Sequence, residues 1–224
     1  MRIFILVFTF IIISSSIYAQ PLRDFSIGPY FALKAGINGG LVMDGRRNGI
    51  SFNGIPDFGA QFFIPASAES DLGFTIDLGY STYSYIIEGV NVDKKYTMKY
   101  HYVTLNPNFY FHWFMIGMNF GFPASANFGE SIGTDILEMM VEFKLSGMFP
   151  LMTDESGSLN LNLQAGYMLT GIYKDFAKND PLLPYIPEVP PETISSKFNP
   201  RAVSVSLGLS YLMNLSPSEV EINE

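Results

Sequence analysis

Leu72-Gly73-Phe74-Thr75-Ile76-Asp77-Leu78-Gly79-Tyr80-Ser81-Thr82 is the stretch that decides the fold of this chain. Its even-numbered positions up to Tyr80 are large and apolar, whereas its odd-numbered positions are glycine, hydroxyl or carboxylate residues. Successive side chains of a β-strand point to opposite faces, so the stretch predicts a strand with one apolar face and one small, polar face. Seven further segments repeat the alternation, which indicates an all-β chain.

The composition is apolar and poor in charge. Of the 224 residues, 48% are hydrophobic, 15% are aromatic and only 15% are charged. These values exclude a disordered chain, and the charged fraction is low for the surface of a soluble protein. The formal net charge of −8 argues against nucleic acid as a partner. The lack of cysteine excludes disulfides, thiolate metal sites and a cysteine nucleophile.

The N-terminus has the pattern of a secretory signal peptide. Arg2 is followed by an apolar run from Ile3 to Ile13, then by three serines and Ile17-Tyr18-Ala19. The run is short for a membrane helix but fits the core of a signal peptide. We expect cleavage after Ala19, which makes residues 1–19 the signal peptide and the mature chain an exported protein. An uncleaved anchor helix is the alternative.

The alternation places eight strands in the exported part. Their predicted limits are Gly28–Asn38, Asp57–Pro65, Leu72–Thr82, Tyr96–Phe111, Phe114–Phe122, Ile136–Phe149, Ser158–Gly171 and Ala202–Met213. Single-chain outer-membrane barrels have an even strand number, and each predicted strand is long enough for a tilted crossing. Pro107 lacks an amide donor, so we expect it at an unpaired position or a bulge. We assign residues 20–213 to the barrel and 214–224 to an acidic tail.

The composition of the second face decides between a soluble and a membrane barrel. This face consists mostly of Gly, Ser, Asn, Thr and Gln, which suit a crowded barrel interior better than a solvated surface. The bulky residues then face lipid. The first strand must pair with the last, because an open edge in hydrocarbon would leave amide and carbonyl groups unpaired. The prediction is an eight-stranded, antiparallel, up-and-down transmembrane β-barrel.

The connections and the aromatic residues agree with this topology. Short connections at Pro65–Asp71, His112-Trp113 and Pro150–Gly157 alternate with longer ones, as periplasmic turns alternate with outer loops. The longest loop, 172–200, is rich in proline. Several aromatic residues near strand ends are expected in the girdles at the two membrane surfaces: Tyr80, Tyr100, Tyr102, Trp113, Tyr167 and Tyr211.

With these features the chain resembles the small eight-stranded outer-membrane barrels of the OmpA transmembrane-domain and PorT-like type. The resemblance implies insertion by the barrel-assembly machinery, which reads a signal in the last strand. Ser206, Gly208 and Tyr211 match that signal, and Met213 stands where an aromatic residue is expected. OmpA-like proteins often carry a second, peptidoglycan-binding domain, for which this chain has no room.

Five charged residues are predicted to face the lumen: Lys34, Asp77, Glu138, Glu142 and Lys144. Buried charges are costly unless they are paired, so we expect these residues to form an ion-pair network that fills the barrel. A narrow, water-filled path lined by the same groups is the alternative.

The sequence predicts no catalytic, cofactor or metal site. A lipid-modifying enzyme would need a nucleophile beside a base, and the chain has only two histidines. His112 falls in a predicted turn, and His101 lies near the outer end of the fourth strand, with Ser81 and Ser84 on the neighbouring strand. Acidic residues of the Pro-rich loop lack the spacing of a Ca²⁺ site.

We therefore expect an integral outer-membrane barrel of a Gram-negative bacterium, without enzymatic activity, that has a structural or binding role. Its expected partners are outer-membrane lipid, the barrel-assembly machinery and another envelope or extracellular protein that contacts the loops. Three alternatives stay open: a narrow channel for small or apolar solutes, a lipid-modifying enzyme, and a soluble exported barrel with an internal ligand.

Overall fold

The structure is a computed structural model that describes residues 24–40, 46–67, 71–89, 95–127, 131–174 and 200–215. The predicted signal peptide, most of the Pro-rich loop and most of the acidic tail lie outside the described residues. Among the described residues, no helix is long enough and apolar enough to cross a bilayer.

Eight long strands form the barrel: β1 Ser26–Asn38, β2 Asp57–Pro65, β3 Leu72–Gly89, β4 Lys95–Phe111, β5 Phe114–Asn127, β6 Met140–Asp154, β7 Gly157–Met168 and β8 Ala202–Asn214. Each strand pairs antiparallel with the next, and β1 pairs with β8 from Ser26↔Asn214 to Asn38↔Ala202. The ring is therefore closed, as the sequence predicts. Shorter elements are the strands Arg46–Gly49, Ser51–Phe52 and Ser131–Ile132 and the 3-10 turn Thr134–Ile136.

The predicted assignment of the two faces is confirmed. On β3, Phe74 and Leu78 are 52% and 46% exposed on the outside, whereas Thr75 and Asp77 inside are 0% and 5% exposed. Other strands continue the exposed apolar belt with Phe31, Leu33, Phe58, Val103, Phe109, Ile116, Leu145, Val205, Leu207 and Leu209. From Leu72 to Tyr80 the belt is about 20 Å tall if the strand is tilted by about 40°. That height suits the thin hydrocarbon of an outer membrane.

Three of the connections on one side of the barrel are short. His112 and Trp113 form the predicted two-residue turn, in which His112 has a φ of 60°. The connection from β2 to β3 spans six residues, 66–71, and the turn from β6 to β7 consists of Glu155 and Ser156. The first strand begins and the last strand ends on this side, where the Leu215 amide donates to the Phe25 carbonyl.

Two strands extend several residues further outward than predicted. β3 continues to Gly89 rather than ending at Thr82, and β5 continues to Asn127 rather than ending at Phe122. The predicted loop from Ser84 to Lys95 is therefore mostly a paired hairpin of β3 and β4. The predicted strand limits came from the alternation of the side chains, whereas the observed limits follow side-chain packing beyond the apolar belt.

The predicted limits of β6 are also wrong at both ends. Residues Thr134–Ile136 form a 3-10 turn, and Leu137, which the alternation predicts to face outward, is buried. Its strand pairing is limited to an isolated bridge with Tyr173. At the other end β6 continues through Pro150, which was predicted to begin a turn. A bulge in the pairing with β7 at this position accommodates the proline.

Pro107 occupies the unpaired position that the sequence predicts. It pairs with Ile76 of β3, while the pairing with β5 stops at Leu105 and resumes at Asn108. The pairing with β5 is thus interrupted where Pro107 has no amide to donate.

Candidate functional site

The lumen is the candidate functional site, and its side chains form three layers. The outer layer is aromatic and apolar. Its fully buried members include the inward side chains of β3 and β4 and residues next to the last loop: Tyr83, Tyr85, Met98, Tyr100, Tyr102, Met140, Met168, Ile172 and Tyr173. The Tyr100 hydroxyl lies 3.0 Å from that of Tyr85 and 2.8 Å from that of Tyr173, so Tyr173 is tied to the mouth of the barrel.

This outer layer corrects one prediction. The sequence predicts Tyr100 and Tyr102 in an interfacial girdle, but both are 0% exposed and point into the lumen. They share their orientation with Thr104 and Asn106 because even-numbered residues of β4 face inward. Tyr80, Tyr167 and Tyr211 do lie on the outer wall, where Tyr167 and Tyr211 are both 37% exposed.

The layer at the side of the short turns is also apolar. It consists of the buried residues Phe63, Tyr110, Met115, Met148 and Leu212. The rings of Phe63 and Tyr110 meet edge to face with centroids 5.2 Å apart. The polar middle of the lumen is therefore enclosed between two apolar layers.

An ion pair lies in the middle layer, next to the outer one. The Lys34 ammonium is 2.5 Å from the Asp57 carboxylate, and these side chains are 3% and 7% exposed. Lys34 also donates to the Ser81 hydroxyl, which donates to Asp57 at 2.8 Å. The second carboxylate oxygen of Asp57 accepts the backbone amide of Thr82 at 3.0 Å. Each charge is thus paired and hydrogen-bonded, as burial requires.

Tyr83 connects this ion pair to Glu142. The Lys34 ammonium lies 3.8 Å from the centroid of the Tyr83 ring, in a cation–π contact. The Tyr83 hydroxyl donates to Glu142 at 2.6 Å, and Glu142 also accepts from Asn119 at 3.0 Å and from Ser204 at 3.1 Å. The Glu142 carboxylate is thus held from three other strands.

Asp77 forms another acidic centre, toward the layer at the side of the short turns. It accepts from the amide of Gln61 at 2.9 Å and from the amide of Asn106 at 2.8 Å. A neighbouring chain of contacts runs from Asn108 to Thr75 at 3.0 Å and from Thr75 to the Met115 sulfur at 3.5 Å. Asp77 therefore relies on amide donors, which replace the water that a carboxylate would otherwise bind.

Lys144 is buried in the same layer and has glycine on both sides. It lies opposite Gly117 of β5 and Gly166 of β7 in the register. A Cβ on Gly166 would lie 2.1 Å from Glu142 Oε1, so any larger residue would require that carboxylate to move. The described part of the lumen thus holds two basic residues, Lys34 and Lys144, and three acidic residues, Asp57, Asp77 and Glu142. Their formal net charge is −1.

Four of the five predicted network residues lie in this layer: Lys34, Asp77, Glu142 and Lys144. Glu138 does not join them. It precedes β6 at the outer rim, is half-buried, and its carboxylate accepts the amide of Met139. Sequence reasoning missed Asp57 as a member, although Asp57 has the inward orientation and carries the acid that Lys34 needs.

Several amide oxygens of the middle layer have no partner among the protein atoms. They belong to Gln61, Asn106, Asn108, Asn119 and Asn162. Buried amide oxygens usually accept a hydrogen bond from protein or water, so the layer is polar enough to hold water molecules. No group of three or more metal-binding side chains occurs in the described parts of the chain.

The two histidines lie outside the lumen. His112 lies in the two-residue turn, and its Nδ1 is 2.9 Å from the Asp71 carboxylate. His101 faces the outer wall, and its Nδ1 lies 3.1 Å from the Thr82 hydroxyl. The two serines that the sequence placed near His101 are engaged elsewhere, since Ser81 bonds Asp57 and Ser84 bonds Asn53.

The residues of the predicted assembly signal lie on β8. Ser206 is buried toward the lumen, and a Cβ on Gly208 would meet the Phe31 carbonyl at 2.3 Å. Tyr211 and Met213 are 37% and 44% exposed on the outer wall. Tyr211 also contacts the Ser156 hydroxyl at 3.0 Å, which places it at the side of the short turns.

No protein-family model and no curated protein sequence matches the chain. Among solved structures it is similar to the outer membrane protein OprG from Pseudomonas aeruginosa, with 11% identity over 87% of this chain and 95% of that one and a TM-score of 0.36. It is also similar to the outer membrane protein AlkL in DMPC lipid bilayers, with 14% identity over 88% and 94% and a TM-score of 0.43.

At these identities and TM-scores the barrel assignment stands on the strand pairing and on the outward belt. Eight strands close into one ring, bulky apolar side chains cover the outside, and polar side chains fill the middle. These are the features of the predicted class. The chain is a small eight-stranded transmembrane β-barrel of the outer-membrane type.

Proposed function

We propose that the protein is a closed barrel in the outer membrane of a Gram-negative bacterium, where it has a structural or binding role rather than a transport role. The observation that carries this proposal is the layering of the lumen. Fully buried tyrosines cross the outer mouth, and a second buried cluster, which includes Phe63 and Met148, crosses the other end. Solutes would have to displace both layers and the ion pair between them.

The energetics of the middle layer support a permanent filling. Moving Lys34 away from Asp57 would leave a charge unpaired in a site that is less than a tenth exposed. Breaking a buried pair in this way costs about 3–5 kcal/mol. Thermal fluctuations alone would therefore open such a path only rarely.

Planar-bilayer recording tests the proposal. We expect folded protein to show no steady conductance, because the two apolar layers exclude hydrated ions. A variant with Tyr85, Tyr100, Phe63 and Met148 all changed to alanine removes side chains from both layers and serves as the positive control. Steady conductance from the unchanged protein would contradict a closed barrel.

A narrow channel is the second candidate function. Its support is the polar middle layer, where amide oxygens such as those of Asn106 and Asn119 have no protein partner. A channel would need both apolar layers and the Lys34–Asp57 ion pair to move aside, and the same recordings decide between the two functions.

We also propose that the protein is not an enzyme. The supporting observation is that Ser81 and Ser84, the two serines that the sequence predicts near His101, are bonded to other residues. Lipid analysis of cells that lack the protein tests this point, since altered acylation of the outer leaflet would contradict it. The expected partners remain lipid, the barrel-assembly machinery and a protein that contacts the outer loops.

A further inference from the structure

On the outer wall, the apolar belt changes to polar residues at one level across three strands. Tyr80 of β3 pairs with Val103 of β4, but the next outward pair is Thr82 with His101, and His101 pairs with Ser125 of β5. The following outward row is Ser84, Lys99 and Asn127. A bulge at Ala124 of β5 keeps Ser125 and Asn127 in these rows. This change marks the outer surface of the hydrocarbon.

A ladder of rings lies at that boundary. The rings of Phe58 and Tyr80 stack with centroids 5.6 Å apart, and Tyr80 stacks on His101 at the same distance. Aromatic residues collect at the level of lipid headgroups, where a ring meets both hydrocarbon and water. The polar residues just above the ladder therefore lie beside the headgroups of the outer leaflet.

The connection before β2 turns these polar residues into a cleft. The segment from Asn53 to Pro56, between Ser51–Phe52 and β2, bulges out of the strand pairing with β1. The reason is that β1 pairs with Phe52 and with Asp57 in two different registers. Asn53 fastens this segment to the wall by donating to the Thr82 carbonyl and accepting from Ser84. Behind it the wall stays closed, since a Cβ on Gly36 would lie 2.5 Å from the Ser84 carbonyl.

The cleft is a cavity of about 260 Å³ lined by Gly54, Ile55, Thr82, Lys99, His101 and Asn127. Its lining, as far as the structure describes it, contains no carboxylate. Lys99 supplies an ammonium group, and the Thr82 hydroxyl and the His101 ring add hydrogen-bonding groups that hold each other at 3.1 Å. His101 is 8% exposed although it faces outward, because the segment around Gly54 covers it.

From this cavity we infer a binding site for the phosphate group of a lipid in the outer leaflet. The site combines the Lys99 cation with one neutral donor at headgroup level, which is the Thr82 hydroxyl or the His101 Nε2–H, depending on which of the two donates in their mutual hydrogen bond. Charge-assisted hydrogen bonds to phosphate are stronger than neutral ones. The acyl chains of such a lipid would run down the belt over Val103 and Leu105, which are 55% and 39% exposed. The whole chain has a formal net charge of −8, so the positive charge of this cavity differs from the net charge of the protein.

Native mass spectrometry of folded protein in a neutral detergent tests the site. The probes are dimyristoyl phosphatidic acid, the diacylglycerol with the same chains, and inorganic phosphate. We expect phosphatidic acid to bind at least tenfold more tightly than diacylglycerol, because only the former carries the phosphate. Equal binding of the two lipids would overturn the proposal.

Two variants and one control locate the binding. Lys99→Ala should weaken phosphatidic acid binding at least tenfold, whereas Lys95→Ala removes the same charge from an exposed residue of the same strand outside the cavity. Gly54→Trp should weaken binding equally by filling the cavity, since a Cβ on Gly54 meets no atom within 4 Å. Heat-modifiable gel migration confirms that each variant is folded.

Two outcomes would overturn the assignment. If Lys95→Ala weakens binding as much as Lys99→Ala, the lipid responds to general surface charge and not to a site. If inorganic phosphate binds by itself and displaces phosphatidic acid, the site takes a soluble phosphate and the lipid assignment fails.

Discussion

Replacing Leu78 by arginine tests the outward orientation of the apolar belt. Leu78 is 46% exposed and lies between Ala60 and Leu105 of the neighbouring strands. It is two residues from Ile76, the midpoint of the belt on β3, which corresponds to about 5 Å along the membrane normal for a strand tilted by about 40°. Arginine on the lipid face costs about 2–4 kcal/mol at the midplane and less toward the surfaces. We therefore expect a loss of about 2 kcal/mol.

Met152→Arg is the matched control. Met152 is also an outward apolar residue and is 69% exposed, but it lies next to the Glu155-Ser156 turn, beyond the belt. Arginine near the membrane surface costs about 0–1 kcal/mol. Urea titration of protein folded into phospholipid vesicles measures both free energies of unfolding, with heat-modifiable gel migration as the readout.

Equal free energies for Leu78→Arg and Met152→Arg would refute the reasoning. On the surface of a water-soluble barrel both substitutions would change stability by no more than about 0.5 kcal/mol. A difference of about 1–2 kcal/mol between them requires a depth-dependent apolar medium outside the wall.

Three further predictions use the same unfolding assay and concern the lumen and the pairing between β4 and β5. Lys34→Met should cost about 3–5 kcal/mol because it leaves Asp57 buried without its cation, and the double variant with Asp57→Leu should recover most of the loss; an additive double variant would contradict the pairing. Gly166→Val should cost about 1–3 kcal/mol, since its Cβ would lie 2.1 Å from Glu142, and wild-type stability would show that Glu142 is not held there. Pro107→Ala should stay within about 0.5 kcal/mol, because the position is unpaired toward β5; a large change of either sign would contradict that assignment.

Alternation along the sequence was sufficient to predict the two faces of the barrel, and the cost of an open edge in hydrocarbon then predicted its closure. The reason is that a side-chain period of two assigns every residue of a strand once one residue is assigned. Phe74 outside and Thr75 inside follow directly from the stretch that begins at Leu72. The His112-Trp113 turn was equally visible, because two apolar runs meet there without any other break.

Strand length above the membrane was not predictable from that pattern. β3 continues past Thr82 because Tyr83 and Tyr85 pack against side chains of β4 across the mouth. Packing between distant residues sets this end, and no local change in the sequence marks it. Tyr100 and Tyr102 could have been placed correctly, since they have the same orientation as Thr104.

The cleft on the outer wall depends on the register between strands, which the sequence leaves open. A shift of one residue would have brought Ser81 rather than Thr82 opposite His101. The predicted loop from Ser84 to Lys95 left that register undetermined. The detached segment around Gly54 was likewise hidden in a predicted loop, although it forms one side of the cavity.

Spin-label accessibility along β3 tests the central claim most directly. The sequence has no cysteine, so single cysteines at positions 74 to 79 can each be labelled alone in protein folded into vesicles. Labels at Phe74, Ile76 and Leu78 should collide with oxygen dissolved in the bilayer, and labels at Thr75 and Asp77 should not. Contact of the Ile76 and Leu78 labels with a water-soluble nickel chelate, or their shielding from both reagents, would contradict an apolar face in lipid.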